Sequence, residues 1–313
     1  MKHSNLPKIF VLLSLMVILL TSLACSLTTP SNEADNELAL QQTLVALQAT
    51  NAALESQETD IQAVTITPSE TTPVEQPPTP TTETVKPPDI IFQGISSSFD
   101  PNIASQVLPS SITGQNMGEE YMPGDTYPNY VEFTFDNYAV PDHFHQPRIS
   151  IYPVAEYRQI SSYASQIIDD LQMVLNSQPS GGASVGLPFL PMWPAAQMFA
   201  SNVSIFNFQN GKGIRFLTMY GQAAYPIDNQ NLFYTYQGIT NDGQYYISAI
   251  LPVTHPDLLY DGSSQVDDWE AFANDFQNYL EGAVSWLNSQ NPDQFTPSIT
   301  LLDEMMASFE IQP

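Results

Sequence analysis

Residues 65–88 read TITPSETTPVEQPPTPTTETVKPP, a run with seven prolines and no aromatic side chain. Each proline removes a backbone donor and fixes its φ, so neither a helix nor a central strand propagates through the run. It also lacks apolar material to bury, so it is expected to be a disordered, semi-extended linker. At about 3.1 Å per residue it would reach roughly 70 Å. This one feature divides the chain. A globular domain has to lie in residues 89–313, and residues 1–64 form a separate region.

Charge narrows the function. The chain carries 33 acidic and 7 basic residues, a net charge of −26. Residues 89–313 hold 24 of the acids against Arg148, Arg158, Lys212 and Arg215, which leaves −20 with histidine neutral. Nucleic acid is excluded as a partner, because phosphate contacts need clustered Lys and Arg. Adsorption of the protein surface to anionic headgroups is disfavoured on the same ground. Hydrophobic residues make up 42% and aromatics 11% of the chain, enough for a real core.

The N-terminus places Lys2, His3 and Lys8 before an apolar run over 9–20. That order is the pattern of a secretory signal, and the run is short of the roughly 20 residues a membrane span needs. The only cysteine, Cys25, follows directly, so no intramolecular disulfide forms. Ser22-Leu23-Ala24-Cys25 resembles the signal of bacterial lipoproteins, in which a small residue precedes a lipidated cysteine. Ala24 takes that place, while Ser22 and Leu23 depart from the usual residues. The resemblance implies a signal peptide over 1–24, lipid on Cys25 and an extracytoplasmic protein held to the cell envelope through its acyl chains. Each buried CH₂ contributes about 0.8 kcal/mol, so several chains anchor stably. Ordinary cleavage with Cys25 left as a free thiol, and an uncleaved anchor, remain open.

Residues 25–64 are expected to carry that lipidated N-terminus and a helical stalk. No Pro or Gly occurs over 33–62, and Leu40, Leu44, Leu47, Leu54 and Ile61 follow coiled-coil spacing with Asn51 at a core position. The region is either a single tether helix or a seam for self-association through residues 40–61.

Past the linker, residues 89–313 are expected to be one α+β domain. Residues 90–98, 130–136 and 148–154 are expected strands, the last two paired as a hairpin. Residues 156–175 carry a helical apolar stripe. Asn210-Gly211 and Asn241-Asp242-Gly243 mark two hairpin turns of an antiparallel meander over 204–253. Helices over 267–289 and 298–309 are expected to cover it. The stretch from Arg215 to Val253, with the Met306-Ala307-Ser308-Phe309 ending, resembles the PsbP-type α/β/α sandwich. That resemblance implies a non-enzymatic binding or assembly protein and maps no functional residue.

Two constellations carry possible chemistry. In Asp142-His143-Phe144-His145, the two imidazoles fall on one face of an extended segment and form half of a zinc-type site. The other reading is a surface or packing role. Asp142, His255 and Asp257 are the possible further ligands. Calcium is the alternative ion at the acidic loops around Glu119, Glu120 and Asp125 or Asp257, Asp261, Asp267 and Asp268, none with EF-hand spacing. In the 186–194 loop, Pro188, Pro191 and Pro194 forbid regular structure. That loop either covers the core or forms the lip of a groove, with Phe189, Met192 and Trp193 contacting a ligand or partner. No serine-hydrolase, P-loop or dinucleotide motif occurs. Paired carboxylates for glycoside cleavage are invisible in a sequence this acidic. The expectation is a non-catalytic binding or assembly module with no cofactor and an unknown protein or polymer partner. The alternative is a metal-dependent or carboxylate hydrolase acting on envelope or extracellular polymers.

Overall fold

The computed structural model describes residues 89–118, 123–177 and 186–312. The signal, Cys25, the stalk with its 40–61 seam, the linker, and Glu119 and Glu120 lie outside the described residues.

In chain order the strands begin with β1 (Ile90–Phe92), β2 (Ile95–Ser97), β3 (Gln106–Ile112), β4 (Tyr130–Asp136) and β5 (Arg148–Pro153). Helices α1 (Val154–Ile160) and α2 (Ser162–Ser177) follow. Next come β6 (Ala196–Gln197), β7 (Ser201–Phe208), β8 (Gly211–Thr218), β9 (Tyr220–Gly221), β10 (Phe233–Thr240) and β11 (Tyr245–Pro252). Helices α3 (Trp269–Asn274), α4 (Phe276–Ser289) and α5 (Ile299–Ala307) and strand β12 (Glu310–Ile311) close the domain. The domain is α+β.

Seven strands form one antiparallel sheet in the order β3-β4-β5-β11-β10-β8-β7. Both expected hairpin turns lie in it, between β7 and β8 and between β10 and β11. At the second turn Gly243 has φ 72°, and the Asp242 carboxylate accepts from Thr240 Oγ1 and from the Gln244 N–H. All eight residues of β10 are buried, as befits a central strand covered on both faces. One face packs Ile214, Phe216, Phe233 and Ile250 against Ile168, Leu171 and Leu175 of α2. The other packs Phe133, Ile149, Leu217 and Tyr234 against Leu280 and Leu287 of α4 and Leu302 and Met306 of α5.

Three expected elements are subdivided. The strand over 90–98 is a hairpin, turned at Gln93 and Gly94 with φ of 46° and 74°. The helix over 156–175 breaks at Ser161, which is extended (φ −142°) and whose hydroxyl accepts from the Ala164 N–H to start α2. The helix over 267–289 breaks at Asp275 (φ −104°, ψ 9°). Periodicity alone does not register such breaks, because the apolar stripe runs on past them.

On the α2 face the described residues do not cover the sheet to its end. Thr134 opposes Arg148 and Glu132 opposes Ser150 across β4 and β5, so Tyr130, Glu132, Thr134, Arg148 and Tyr152 share this face. Here the fold leaves an opening.

Candidate binding groove

That opening is a groove of about 530 Å³. Its floor is Tyr130, Glu132, Thr134, Arg148 and Tyr152. One wall is Gly124, Asp125 and Tyr127, another is Gln146 and Pro147, and a third is the run Pro191-Met192-Trp193-Pro194. The walls meet tightly, since a Cβ on Gly124 would collide with the Met192 carbonyl oxygen.

The 186–194 loop is anchored in its first half and presented in its second. Leu187, Phe189 and Leu190 are buried in the core, while Pro191, Met192 and Trp193 are half-buried at the groove. The anchor is Gln237, buried in mid-β10. Its Oε1 accepts from the Leu190 N–H (3.1 Å) and from the Tyr246 hydroxyl (2.6 Å). Its Nε2 donates to Thr235 Oγ1 (2.8 Å), and the Ser248 hydroxyl donates to the Leu190 carbonyl. Backbone groups of a non-regular loop must find partners when buried, and this side-chain network supplies them.

Trp193 then sits in a cluster of rings. It stacks on His145 at 4.6 Å and 6°, and meets Phe189 at 4.9 Å and Tyr220 at 5.1 Å edge-on. In the groove itself Tyr130 lies 5.7 Å from Tyr127, edge-on, and 4.6 Å from Tyr152. Burial, then Tyr152 and Glu132, raises the Tyr130 hydroxyl well above its usual range, and burial pushes Tyr152 up to about 12. Both are neutral donors at ordinary pH. The Tyr130 hydroxyl donates to Glu132 Oε2 at 3.3 Å.

Arg148 is distinctive among the basic side chains of the domain. Arg158 pairs with Asp169 (2.7 Å), Arg215 with Asp303 (2.9 Å), and Lys212 donates to the Leu175 carbonyl (3.2 Å). The Arg148 guanidinium makes no hydrogen bond or ion pair among the described residues and lines the groove.

The Asp142-His143-Phe144-His145 motif lies beside this site. His143 Nε2 faces the Leu232 carbonyl oxygen at 2.9 Å, and its Nδ1 accepts the His145 N–H at 3.0 Å. Its ring is therefore the neutral Nε2–H tautomer, with both nitrogens engaged. Burial lowers the His143 pKa. Burial, then His143 and Arg148, brings His145 down to about 3. Asp142 is exposed, with φ 57°, and its carbonyl accepts from the Tyr260 hydroxyl (2.9 Å). His255 packs elsewhere, edge-on to Trp286 and Phe295, with Nδ1 accepting from the Asp257 N–H (3.2 Å). Among the described residues no three His, Cys, Asp or Glu side chains are grouped to hold a metal ion. Of the acidic loops, Asp261 accepts from Tyr225 and Ser263, and Asp268 caps α3.

Sequence reading singled out Phe189, Met192 and Trp193, of which Phe189 is buried in the core and only the other two line the groove, and it missed Tyr130, Glu132, Arg148 and Gln237. For Tyr130 and Glu132 a signal existed, because the alternation in β4 that sends Phe133 and Phe135 to the core sends these two to the opposite face. No protein-family model, curated protein or solved structure matches the chain.

Proposed function

We propose that this chain is a non-catalytic binding module of the cell envelope that takes its ligand in the groove beside Trp193. In this reading residues 1–24 are removed, Cys25 carries lipid, and residues 25–64 and 65–88 serve as stalk and spacer for the α+β domain 89–313. The partner is a protein or polymer outside the cytoplasm. The resemblance to lipoprotein signals and to PsbP-type sandwiches agrees with it.

The observation that carries the reading is the Arg148 guanidinium on an aromatic floor, without a hydrogen-bond or ion-pair partner among the described residues, in a domain whose other basic side chains are all engaged. A half-desolvated cation without a partner costs stability, and a groove that keeps one is arranged for a ligand that supplies acceptors. The carboxylate-hydrolase reading has one observation in its favour: Asp125 and Glu132 line the same groove.

Titrating the full chain with soluble envelope and extracellular polymers, following tryptophan fluorescence and polymer length together, separates the two. The expected result is a saturable fluorescence change lost in Trp193→Ala and weakened in Arg148→Ala, with polymer length unchanged. Shortened product that disappears in Glu132→Gln would give the groove to hydrolysis. Binding indifferent to both Trp193→Ala and Arg148→Ala would sink the groove reading.

A further inference from the structure

We propose that the groove's ligand is a β-1,4-linked saccharide chain and that Phe144 is an outlying stacking platform for it. This rests on the groove reading above and names its ligand class.

Three observations lead there. The first is the presentation of Phe144. Its loop is braced by His143 on the Leu232 carbonyl (2.9 Å), by the Phe144 N–H on the Gln230 carbonyl (3.0 Å), by the His145 N–H on His143, and by Tyr260 on the Asp142 carbonyl. Both histidine rings are turned inward and buried, yet the Phe144 ring between them is 70% exposed. A pinned loop that displays its largest apolar ring to water is preorganised, so little entropy is lost when something covers that ring.

The second is continuity. The Phe144 ring meets His145 edge-on at 4.9 Å, and His145 stacks on Trp193 at 4.6 Å. The chain that follows supplies Gln146, Pro147 and Arg148 to the groove. Tyr127, Tyr130 and Trp193 thus line one groove, and the buried His145 ring joins Trp193 to the exposed Phe144.

The third is the polar complement. Asp125 and Glu132 are acceptors, Arg148 is a donor, and the Tyr130 hydroxyl, which donates to Glu132, has a lone pair left to accept. An aliphatic ligand would desolvate both carboxylates and donate to neither. A nucleic acid meets a domain of charge −20. Sugar hydroxyls donate to the carboxylates and accept from the guanidinium, while the C–H faces of the ring lie on the aromatic rings. An equatorial β-1,4 linkage repeats those flat faces along an extended chain, which suits platforms set in a row.

The test is calorimetric titration of the full chain with the disaccharides and hexasaccharides of the cello, chito and manno β-1,4 series. Trp193→Ala should abolish binding of both lengths. Phe144→Ala should weaken the hexasaccharide roughly fivefold to tenfold, the size of a lost aromatic contact, and leave the disaccharide unchanged. Phe144→Tyr should restore it, which a merely structural role for this exposed ring would not require. If Phe144→Ala leaves the hexasaccharide unchanged while Trp193→Ala weakens it, the outlying platform is overturned and the groove stands. If no member of the three series binds the wild-type chain, the saccharide assignment is overturned. Trp193-dependent fluorescence changes with other polymers would then show that the groove reading survives it.

Discussion

Gln237 is a buried polar side chain in the middle of the central strand β10, and its amide fastens Leu190 to the sheet. Replacing it with leucine would strand the Leu190 N–H and the Tyr246 hydroxyl without water to replace it. We predict a loss of about 3 kcal/mol for Gln237→Leu, measured by urea denaturation, with a change in near-UV circular dichroism as Trp193 loosens. His145 sets a second prediction. Its native pKa of about 3 lies below the ordinary 6.5, so between these values the unfolded chain binds a proton that the native chain refuses. Stability should therefore fall as pH drops from 6.5 toward 3, with His143 and His255 acting in the same direction. His145→Phe keeps a ring under Trp193 and removes one contribution, so its urea midpoint should depend less steeply on pH in that window. An equal slope in both proteins would refute the assignment. The HxH spacing was legible in the sequence, but its use was not. Whether an imidazole nitrogen faces a metal or a carbonyl depends on Leu232, 89 residues away.

Elements were legible where local chemistry sets them. The Asn-Gly and Asn-Asp-Gly turns specify their hairpins because a few residues within one turn satisfy one another. The alternation of Tyr130, Glu132 and Thr134 with Val131, Phe133 and Phe135 marks a strand with one apolar face. The breaks at Ser161 and Asp275 were not legible, because the apolar stripe runs on past both. Helix α3 buries none of its residues and starts at Asp268, whose carboxylate accepts from the Glu270 and Ala271 N–H groups. We predict that Asp268→Ala costs about 1 kcal/mol. The loss should be confined to α3, seen as faster amide exchange there with little change across β10 and β11. Uniform acceleration over the whole domain would show instead that α3 unfolds only with the core.

At the scale of the whole molecule the charge dominates. With −20 on the domain and Arg158 and Arg215 already paired, self-repulsion opposes the compact state. Moderate salt screens it, since the Debye length falls to about 10 Å at 0.1 M ionic strength. We predict that the thermal midpoint rises from low salt to that strength, measured by differential scanning calorimetry in sodium chloride; a fall would mean that ion pairs outweigh repulsion. The same excess of acid makes the groove's cation matter, because an accessible guanidinium is scarce on this surface. By itself the sequence determined the class of fold and the two hairpins. Each follows from local backbone chemistry, which does not depend on who meets whom. Only the tertiary structure decided that the proline-interrupted loop would rest on Gln237 and that Trp193 would lie on His145. It alone also decided that α2 would stop short of β4 and leave Arg148 beside an aromatic floor. Those outcomes depend on contacts between residues distant in sequence, and they are set by how buried polar groups in one element find partners in another.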